Sequence, residues 1–186
     1  PLIQRYPSRS AIGAEEIETI TVADVLSRAG IAVTLGGLQG DGVLKCAHDI
    51  GIKANAPLTD LRSKLYDAIV MPGGLGGAKA MAGSSLVKEM LLAHEKADKY
   101  IAAICAAPIG LQAHGIALGK KLTAYPSFRD QLPGFKFCDE AVVVDGKLVT
   151  SRGPGTAMQF ALKLVELLVN RKTAVKLAEG LLVDLK

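Results

Sequence analysis

Residues 100–108 constrain the fold of this chain more than any other segment. Their sequence, YIAAICAAP, is an apolar run that ends at Cys105 and is followed at once by small residues. An apolar run of this kind predicts a buried strand, and residues 109–113 return to helical character. A strand that stops at a nucleophilic residue and turns sharply into a helix is typical of a nucleophile elbow. We therefore predict that Cys105 lies in the turn of a strand–turn–helix unit.

The elbow allows two interpretations of Cys105. In the turn, its sulfur would lie near a helix N-terminus, where unpaired N–H groups and the helix dipole favour the thiolate and lower the thiol pKa. In the alternative, Cys105 packs as a small apolar side chain, because free cysteine is among the most buried residue types. The residues of the segment by themselves leave both interpretations open.

The composition is that of a globular protein, and we expect one domain over residues 1–186. Hydrophobic residues make up 49% of the chain and charged residues 22%, which excludes a disordered chain. The net charge of +4 comes from residues spread along the chain rather than from a basic run, and aromatic residues make up only 4%. Neither feature suits a nucleic-acid partner.

Two further features limit the compartment and the chemistry. No segment approaches the roughly 18 consecutive apolar residues of a membrane span, so we expect no membrane association. The three cysteines, Cys46, Cys105 and Cys138, cannot all pair and match no C-x-x-C spacing for a metal. This cysteine usage suits a reducing compartment, and we expect a cytoplasmic protein, with the nucleus or the mitochondrion as alternatives.

Hydrophobic periodicity predicts alternating helices and strands, the pattern of an α/β sheet. A first helix follows the glutamates at 15–16 and ends before Gly30, with Ile17, Ile20, Val25 and Leu26 on its inner face. The other predicted elements are strands at 31–35, 67–71, 100–104 and 122–124, extended pieces within 40–53, helices at 84–96, 156–169 and in the C-terminal tail, and a hairpin at 141–150 around its Asp-Gly turn.

A glycine-rich run at 73–77 follows the predicted strand at 67–71. It lacks the Gly-Lys-Ser/Thr ending of a phosphate loop, and Lys79 stands where a dinucleotide fingerprint needs its third glycine. The run is therefore either a tight turn or a loop whose backbone N–H groups approach an oxyanion. We favour the oxyanion role, because in a parallel sheet this loop and the Cys105 elbow would lie at the same edge.

Four motifs follow one another along the chain: GAEEIE at 13–18, PGG at 72–74, AAICAAP at 102–108 and TSRGPGT at 150–156. Together they resemble the parkinsonism-associated deglycase family of the ThiJ/PfpI superfamily, over the chain from about Gly13 to its end. The resemblance implies a class I glutamine amidotransferase-like fold, a single-domain flavodoxin-like α/β sandwich with a mostly parallel sheet and helices on both faces. It also implies a homodimer.

The resemblance further implies roles for single residues. Cys105 corresponds to the family's nucleophile and oxidation sensor, and Glu18 to a protonated glutamate that donates a hydrogen bond to it. The backbone N–H groups of Gly74 and Ala106 correspond to the donors that hold an oxyanion. Without the resemblance, Glu18 would be interpreted as a solvated glutamate in the first turn of a helix. Further candidate pocket residues are Gly73, Tyr125 and Pro154.

Two features depart from the family pattern. The family commonly has a histidine before the proline at position 126, whereas this chain has Tyr125, a poor general base with a reference pKa of about 10. Residues 1–12 are an atypical N-terminal segment, because the family has an apolar first strand there and this chain has the run QRYPSR at 4–9.

The function implied is that of a cysteine-dependent glyoxalase or protein deglycase, acting on methylglyoxal-type dicarbonyls or on glycated proteins in the response to oxidative stress. This chemistry needs no metal, nucleotide or glutathione, so we expect no cofactor. The alternative is a non-enzymatic redox sensor and chaperone, in which Cys105 is oxidised to a sulfinate held by Glu18 and the nearby amides. A protease is the least favoured interpretation, because residue 106 is alanine where protease relatives would place a histidine.

Overall fold

The computed structural model describes residues 13–184, so the predictions about residues 1–12 lie outside the described residues. The helices are α1 (Glu16–Arg28), α2 (Leu58–Leu61), α3 (Leu75–Ala82), α4 (Ser85–Lys96), α5 (Pro108–His114), α6 (Ala157–Leu168) and α7 (Arg171–Gly180). The strands are β1 (Gly36–Gly37), β2 (Val43–Lys45), β3 (Gly51–Lys53), β4 (Ala56–Pro57), β5 (Ala68–Met71), β6 (Tyr100–Ile104), β7 (Lys121–Leu122), β8 (Lys136–Phe137), β9 (Val142–Asp145) and β10 (Leu148–Ser151).

Four strands form the largest described sheet, in the order β5, β6, β10, β9. The first three run parallel, with Met71 beside Ala103 and Ser151 beside Ile104, while β9 runs antiparallel to β10. β6 is buried from Ile101 to its end, because it lies between two strands and under helices. The predicted α/β fold with a mostly parallel sheet is confirmed.

Helices cover both faces of this sheet. On one face, Val25 of α1 and Phe160 of α6 pack with Ile104 of β6 in one apolar core. On the other face, Leu91 of α4 and Leu111 of α5 belong to a second core. The carboxyl ends of β5, β6 and β10 meet at one edge of the sheet, and the turns that follow them form the candidate site described below.

Elements with strong local signals are confirmed. Ser84 caps α4, since its side-chain oxygen accepts a hydrogen bond from Val87 N at 3.3 Å. The hairpin predicted around Asp145-Gly146 forms as β9–β10, but its two-residue turn is Gly146-Lys147, with Gly146 at φ +62°, because Asp145 pairs with Leu148. The helix predicted at 156–169 is α6, and the shorter C-terminal helix is α7.

The predicted inner face of α1 is wrong in part. Val25 and Leu26 are buried, but Ile17 is 53% exposed and Ile20 is 47% exposed. The first turn of the helix instead buries Glu16, which is 5% exposed, and Glu18, which is fully buried. Hydrophobic periodicity does not place glutamates on a buried face, so it assigned Ile17 and Ile20 to the inner face of α1 instead.

Two other local predictions also fail. Residues 31–35 do not form a strand among the described residues, because the only ladder nearby is short and pairs Gly36 with Ala56. The glycine-rich run contains more helix than expected, since α3 begins at Leu75 directly after Gly74. Within the described chain, no helix has both the length and the apolar character that a bilayer crossing requires.

Candidate active site

The predicted elbow is present at the end of β6. Cys105 has φ +62°, in the left-handed region that non-glycine residues rarely adopt. Its backbone N–H donates to Ser151 O at 3.0 Å, and its carbonyl accepts from Tyr125 N at 2.9 Å. Pro108 then begins α5, where its missing N–H is not needed. These contacts hold a strained residue at the edge of the sheet, a common arrangement at functional sites.

Glu18 reaches this elbow from the inner face of α1. Its side chain is fully buried, and its Oε2 accepts a hydrogen bond from Gly73 N at 2.7 Å. Its Oε1 has no hydrogen-bond partner of good geometry in the described part of the chain, and the carboxyl interacts with the Cys105 thiol. The interpretation of Glu18 as a solvated helix residue is therefore wrong.

Gly73 and Gly74 bring the β5–α3 turn against the elbow. A Cβ at Gly73 would lie 2.6 Å from both Cys105 Cβ and Glu18 Oε2, so a side chain does not fit there. Gly74 has φ +82°, which suits glycine, and it caps α3. The backbone N–H groups of Gly74 and Ala106 both act to lower the pKa of the Cys105 thiol. The turn and the elbow thus bring together the groups that the family resemblance paired.

The two acidic groups alter each other's protonation. Burial raises the pKa of Glu18 to about 7, although the hydrogen bonds from Gly73 and Cys105 act in the opposite direction. Burial, together with the Glu18 carboxyl, raises the pKa of Cys105 to about 12, against the lowering effect of the Gly74 and Ala106 amides. The lowered thiol pKa predicted from the elbow is therefore wrong, because burial and a neighbouring acid outweigh the amides.

The raised pKa values have a consequence for reactivity. The Glu18–Cys105 pair gives up one proton near pH 7 and keeps the second until about pH 12. Over that range the pair carries one negative charge, which resides mainly on the Glu18 carboxylate because the Cys105 pKa is the higher of the two. The nucleophilic form is the minor one, with the proton on the Glu18 carboxyl and the charge on the Cys105 sulfur, where the two amides can stabilise it.

An open depression of about 530 Å³ lies beside the elbow, and Tyr125, Gly153 and Pro154 line it. A Cβ at Gly153 would lie 3.4 Å from the Tyr125 ring and 4.0 Å from Cys105 Sγ, so the floor of the depression is close to the sulfur. Of the three predicted pocket residues, Tyr125 and Pro154 come together here, whereas Gly73 lies on the Glu18 side of the sulfur.

Sequence reasoning missed other residues of the depression. Arg152 lines it and donates through Nη1 to Asp139 O at 2.9 Å. Thr156 holds its backbone in shape, since its Oγ1 accepts from Gly153 N at 3.1 Å and lies 2.7 Å from Ser151 Oγ. The motif at 150–156 contained the signal for these residues, but motif matching alone gave them no role.

A larger apolar cavity of about 610 Å³ lies elsewhere, between α1, residues 31–36 and β5. Glu18 contributes to its wall, whereas Cys105 is a lining residue of neither this cavity nor the depression. The depression is the candidate entrance to Cys105, because Tyr125 N donates to the Cys105 carbonyl and Gly153 lies close to its sulfur.

The fold and the elbow define a class of α/β proteins that carry a cysteine in the turn after a central strand, and comparison with known proteins identifies the family within that class. The sequence profile of the DJ-1/PfpI family matches residues 10–167, and the chain belongs to this family. Protein dj-1beta of Drosophila melanogaster is 50% identical over 175 residues, which cover 93% of this chain and 94% of that protein. The resemblance that the four motifs suggested is confirmed.

Two further comparisons agree with this membership. The crystal structure of Drosophila melanogaster DJ-1beta superposes with a TM-score of 0.92 at 49% identity, covering 95% of this chain and 96% of that chain. The glutathione-independent glyoxalase DJR-1.2 of Caenorhabditis elegans is 41% identical over 157 residues, 83% of each chain.

Proposed function

We propose that this chain is a cysteine-dependent, cofactor-free glyoxalase that converts methylglyoxal-type dicarbonyls to hydroxy acids. By the same attack it would act as a deglycase on early glycation adducts of proteins, in the response to oxidative stress. The observation that carries the proposal is the buried Glu18 beside Cys105, with a carboxyl pKa of about 7. A general acid–base works best when its pKa is near the working pH. The name of the Caenorhabditis elegans relative supports the same reaction.

The first step is attack of the Cys105 thiolate on the aldehyde carbon. A carbon–sulfur bond forms, and the carbonyl oxygen takes a proton from Glu18 to give a hemithioacetal. While negative charge develops on that oxygen, the amides of Gly74 and Ala106 are placed to donate hydrogen bonds to it. The elbow thus supplies the nucleophile and a donor from one turn, and the glycine turn supplies the second donor.

The second stage is an internal redox change that needs no external oxidant. The Glu18 carboxylate removes the proton from the former aldehyde carbon, which leaves an enediolate. A proton is then returned to the neighbouring carbon, while the hydroxyl proton of the first carbon is lost and the ketone oxygen gains one. This oxidises the first carbon to a thioester and reduces the ketone to an alcohol. Water then cleaves the thioester, which releases the hydroxy acid and restores the Cys105 thiol. Glu18 is the proton carrier throughout, because Tyr125 replaces the histidine that other family members offer.

The test is lactate formation from methylglyoxal without glutathione. We expect turnover by the wild type and by Cys138→Ser, a matched control that removes a partly exposed thiol distant from Glu18. Cys105→Ser should lose at least about a hundredfold in rate, because a serine hydroxyl is a much poorer nucleophile at neutral pH. Equal lactate formation by Cys105→Ser and the wild type would refute the proposal.

A second candidate function is redox sensing with chaperone activity, and the same geometry favours it. Cys105 is partly exposed, and its sulfur lies among the Gly74 and Ala106 amides and the Glu18 carboxyl. These groups could hold the oxygens of a sulfinate at Cys105. Mass spectrometry after limiting peroxide should find Cys105 oxidised before Cys46, which is 4% exposed. Earlier oxidation of Cys46 would exclude the sensor role.

We also propose a homodimer and a cytoplasmic location, with residues 1–186 acting as one domain. Ile17 and Ile20 are exposed on one side of α1, and Val43 and Ile50 are exposed on the β2–β3 hairpin. This hairpin lies against the start of α1 through a backbone hydrogen bond from Ala47 N. We propose that these exposed aliphatic side chains form the interface, since adjoining apolar surface marks interaction sites. The three free cysteines are consistent with the reducing cytoplasm.

A further inference from the structure

The geometry points to a divalent-cation site formed by Glu15, Glu16 and His48, separate from the Cys105 centre. The two glutamates begin α1, and His48 lies in the loop between β2 and β3. Each of the three residues offers one ligand atom, and the three atoms all lie within 4.8 Å of one another. The site would take a first-row divalent cation such as Zn²⁺, for which carboxylate oxygen and imidazole nitrogen are ordinary ligands.

The distances within the cluster fit a common metal ion. His48 Nδ1 lies 3.5 Å from Glu15 Oε2 and 3.3 Å from Glu16 Oε2. Ligands bound to Zn²⁺ at about 2.1 Å in tetrahedral geometry are about 3.4 Å apart. The ring nitrogen therefore already stands at ligand–ligand distance from both carboxylates, and an ion could enter with little rearrangement.

The two carboxylates are buried and incompletely paired, which is the second observation. The side chains of Glu15 and Glu16 are only 8% and 6% exposed. Among the described residues, Glu15 Oε1 has no hydrogen-bond donor, and Glu16 Oε2 has none of good hydrogen-bond geometry, although His48 Nδ1 lies 3.3 Å away. Buried carboxylate oxygens without donors are costly, and a bound cation would offset that cost.

The loop holds the ligands in place and leaves one side open. The backbone N–H of His48 donates to Glu16 Oε1 at 2.9 Å, which turns Glu16 Oε2 toward the imidazole. The His48 side chain itself is 71% exposed, so water can complete the coordination of an ion. A site with three protein ligands and an accessible fourth position follows from this arrangement.

The competing explanation is an ion pair in which protonated His48 is the only cation. The two explanations differ in their pH dependence, because a metal needs the imidazole deprotonated whereas the ion pair needs it protonated. Two other ionisable side chains, Cys46 and Glu18, lie near the cluster, and neither is a ligand of the proposed site.

The experiment is calorimetric titration with Zn²⁺ alone, on the wild type and on Cys105→Ser, which removes the thiol of the other site. We expect one ion per chain in Cys105→Ser, with affinity that rises from about pH 6 to about pH 7.5. Adding His48→Gln or Glu16→Gln should weaken binding at least about tenfold. Adding Asp49→Asn, which removes an exposed carboxylate of the same loop, should leave the affinity unchanged.

Thermal unfolding without metal checks that each variant is folded, and His48→Gln is the safest variant because that side chain is largely exposed. Three results would each overturn the inference. These are absence of Zn²⁺ binding to folded Cys105→Ser, binding unaffected by His48→Gln, and affinity that falls as the pH rises. In each case the protonated His48 ion pair would be the explanation of the cluster.

Discussion

Replacement of Glu18 by glutamine should separate the reactivity of Cys105 from its turnover. In the wild type the Cys105 pKa is raised from 9.0 to about 12, which lowers the thiolate population about a thousandfold. Burial is the largest cause and the Glu18 carboxyl is the next. Glu18→Gln removes the negative charge but keeps a side chain of similar size that can donate a hydrogen bond, so the thiol pKa should fall.

The expected size follows from this division of causes. Since burial remains in the variant, the thiolate population regains only part of its thousandfold loss. We therefore expect alkylation of Cys105 by iodoacetamide to become about ten- to a hundredfold faster at neutral pH. Lactate formation should change in the opposite direction, by about a hundredfold or more, because an amide cannot carry protons. Faster alkylation of Cys105 together with slower lactate formation would indicate that Glu18 carries protons during the reaction.

The assay measures the alkylation rate and the lactate-formation rate on the same preparations. Cys105→Ser gives the background alkylation without the Cys105 thiol, and Cys138→Ser shows how much Cys138 contributes to the measured alkylation. If Glu18→Gln alkylates no faster than the wild type, the Glu18 carboxyl does not raise the thiol pKa. If it also turns over at the wild-type rate, Glu18 has no part in catalysis.

Other predictions concern stability, assembly and oxidation. Folding raises the Glu18 pKa from 4.5 to about 7, so between these pH values the native state binds one proton that the unfolded state does not. The free energy of unfolding should therefore fall by about 3 kcal/mol as the pH rises from 4.5 to about 7. Denaturant titrations of Glu18→Gln should lack this fall. Gly73→Ala should lower the free energy of unfolding by about 1–3 kcal/mol, because the new Cβ would lie 2.6 Å from Cys105 Cβ. The control Gly42→Ala has open space around it and should lower the free energy of unfolding by less than about 1 kcal/mol. Equal losses in the two variants would contradict the close packing of the turn. Light scattering should give a mass of twice 19.4 kDa for the wild type and of 19.4 kDa for Ile17→Glu. A wild-type mass of 19.4 kDa at micromolar concentrations would refute the dimer. Glu18→Asp moves the carboxyl away from Cys105 by one methylene, so the final oxidation state of Cys105 should differ from that of the wild type. Intact-mass spectra across a peroxide titration measure that state, and an identical final state would show that Glu18 has no part in the sensor mechanism.

The sequence by itself determined the elements whose signals are local. The cap at Ser84, the Asp-Gly signal of the 141–150 hairpin and the apolar spacing of 156–169 each depend on residues a few positions apart. Each predicted the correct element, although the hairpin turn lies one residue later, at Gly146-Lys147. The elbow at Cys105 was predicted for the same reason, because an apolar run, a cysteine and small residues stand next to one another. The resemblance then supplied Glu18, which residue patterns alone had assigned to solvent.

Only the tertiary structure decided how these elements meet. The contact between Glu18 and Gly73 joins residues 55 positions apart, and it turns Ile17 outward by placing a glutamate on the inner face of α1. The same burial reverses the expected direction of the Cys105 pKa, because a desolvated thiol beside an acid is harder to ionise than a thiol at a helix N-terminus. Burial and charge act through space between groups from different elements, so no local pattern in the sequence contains them.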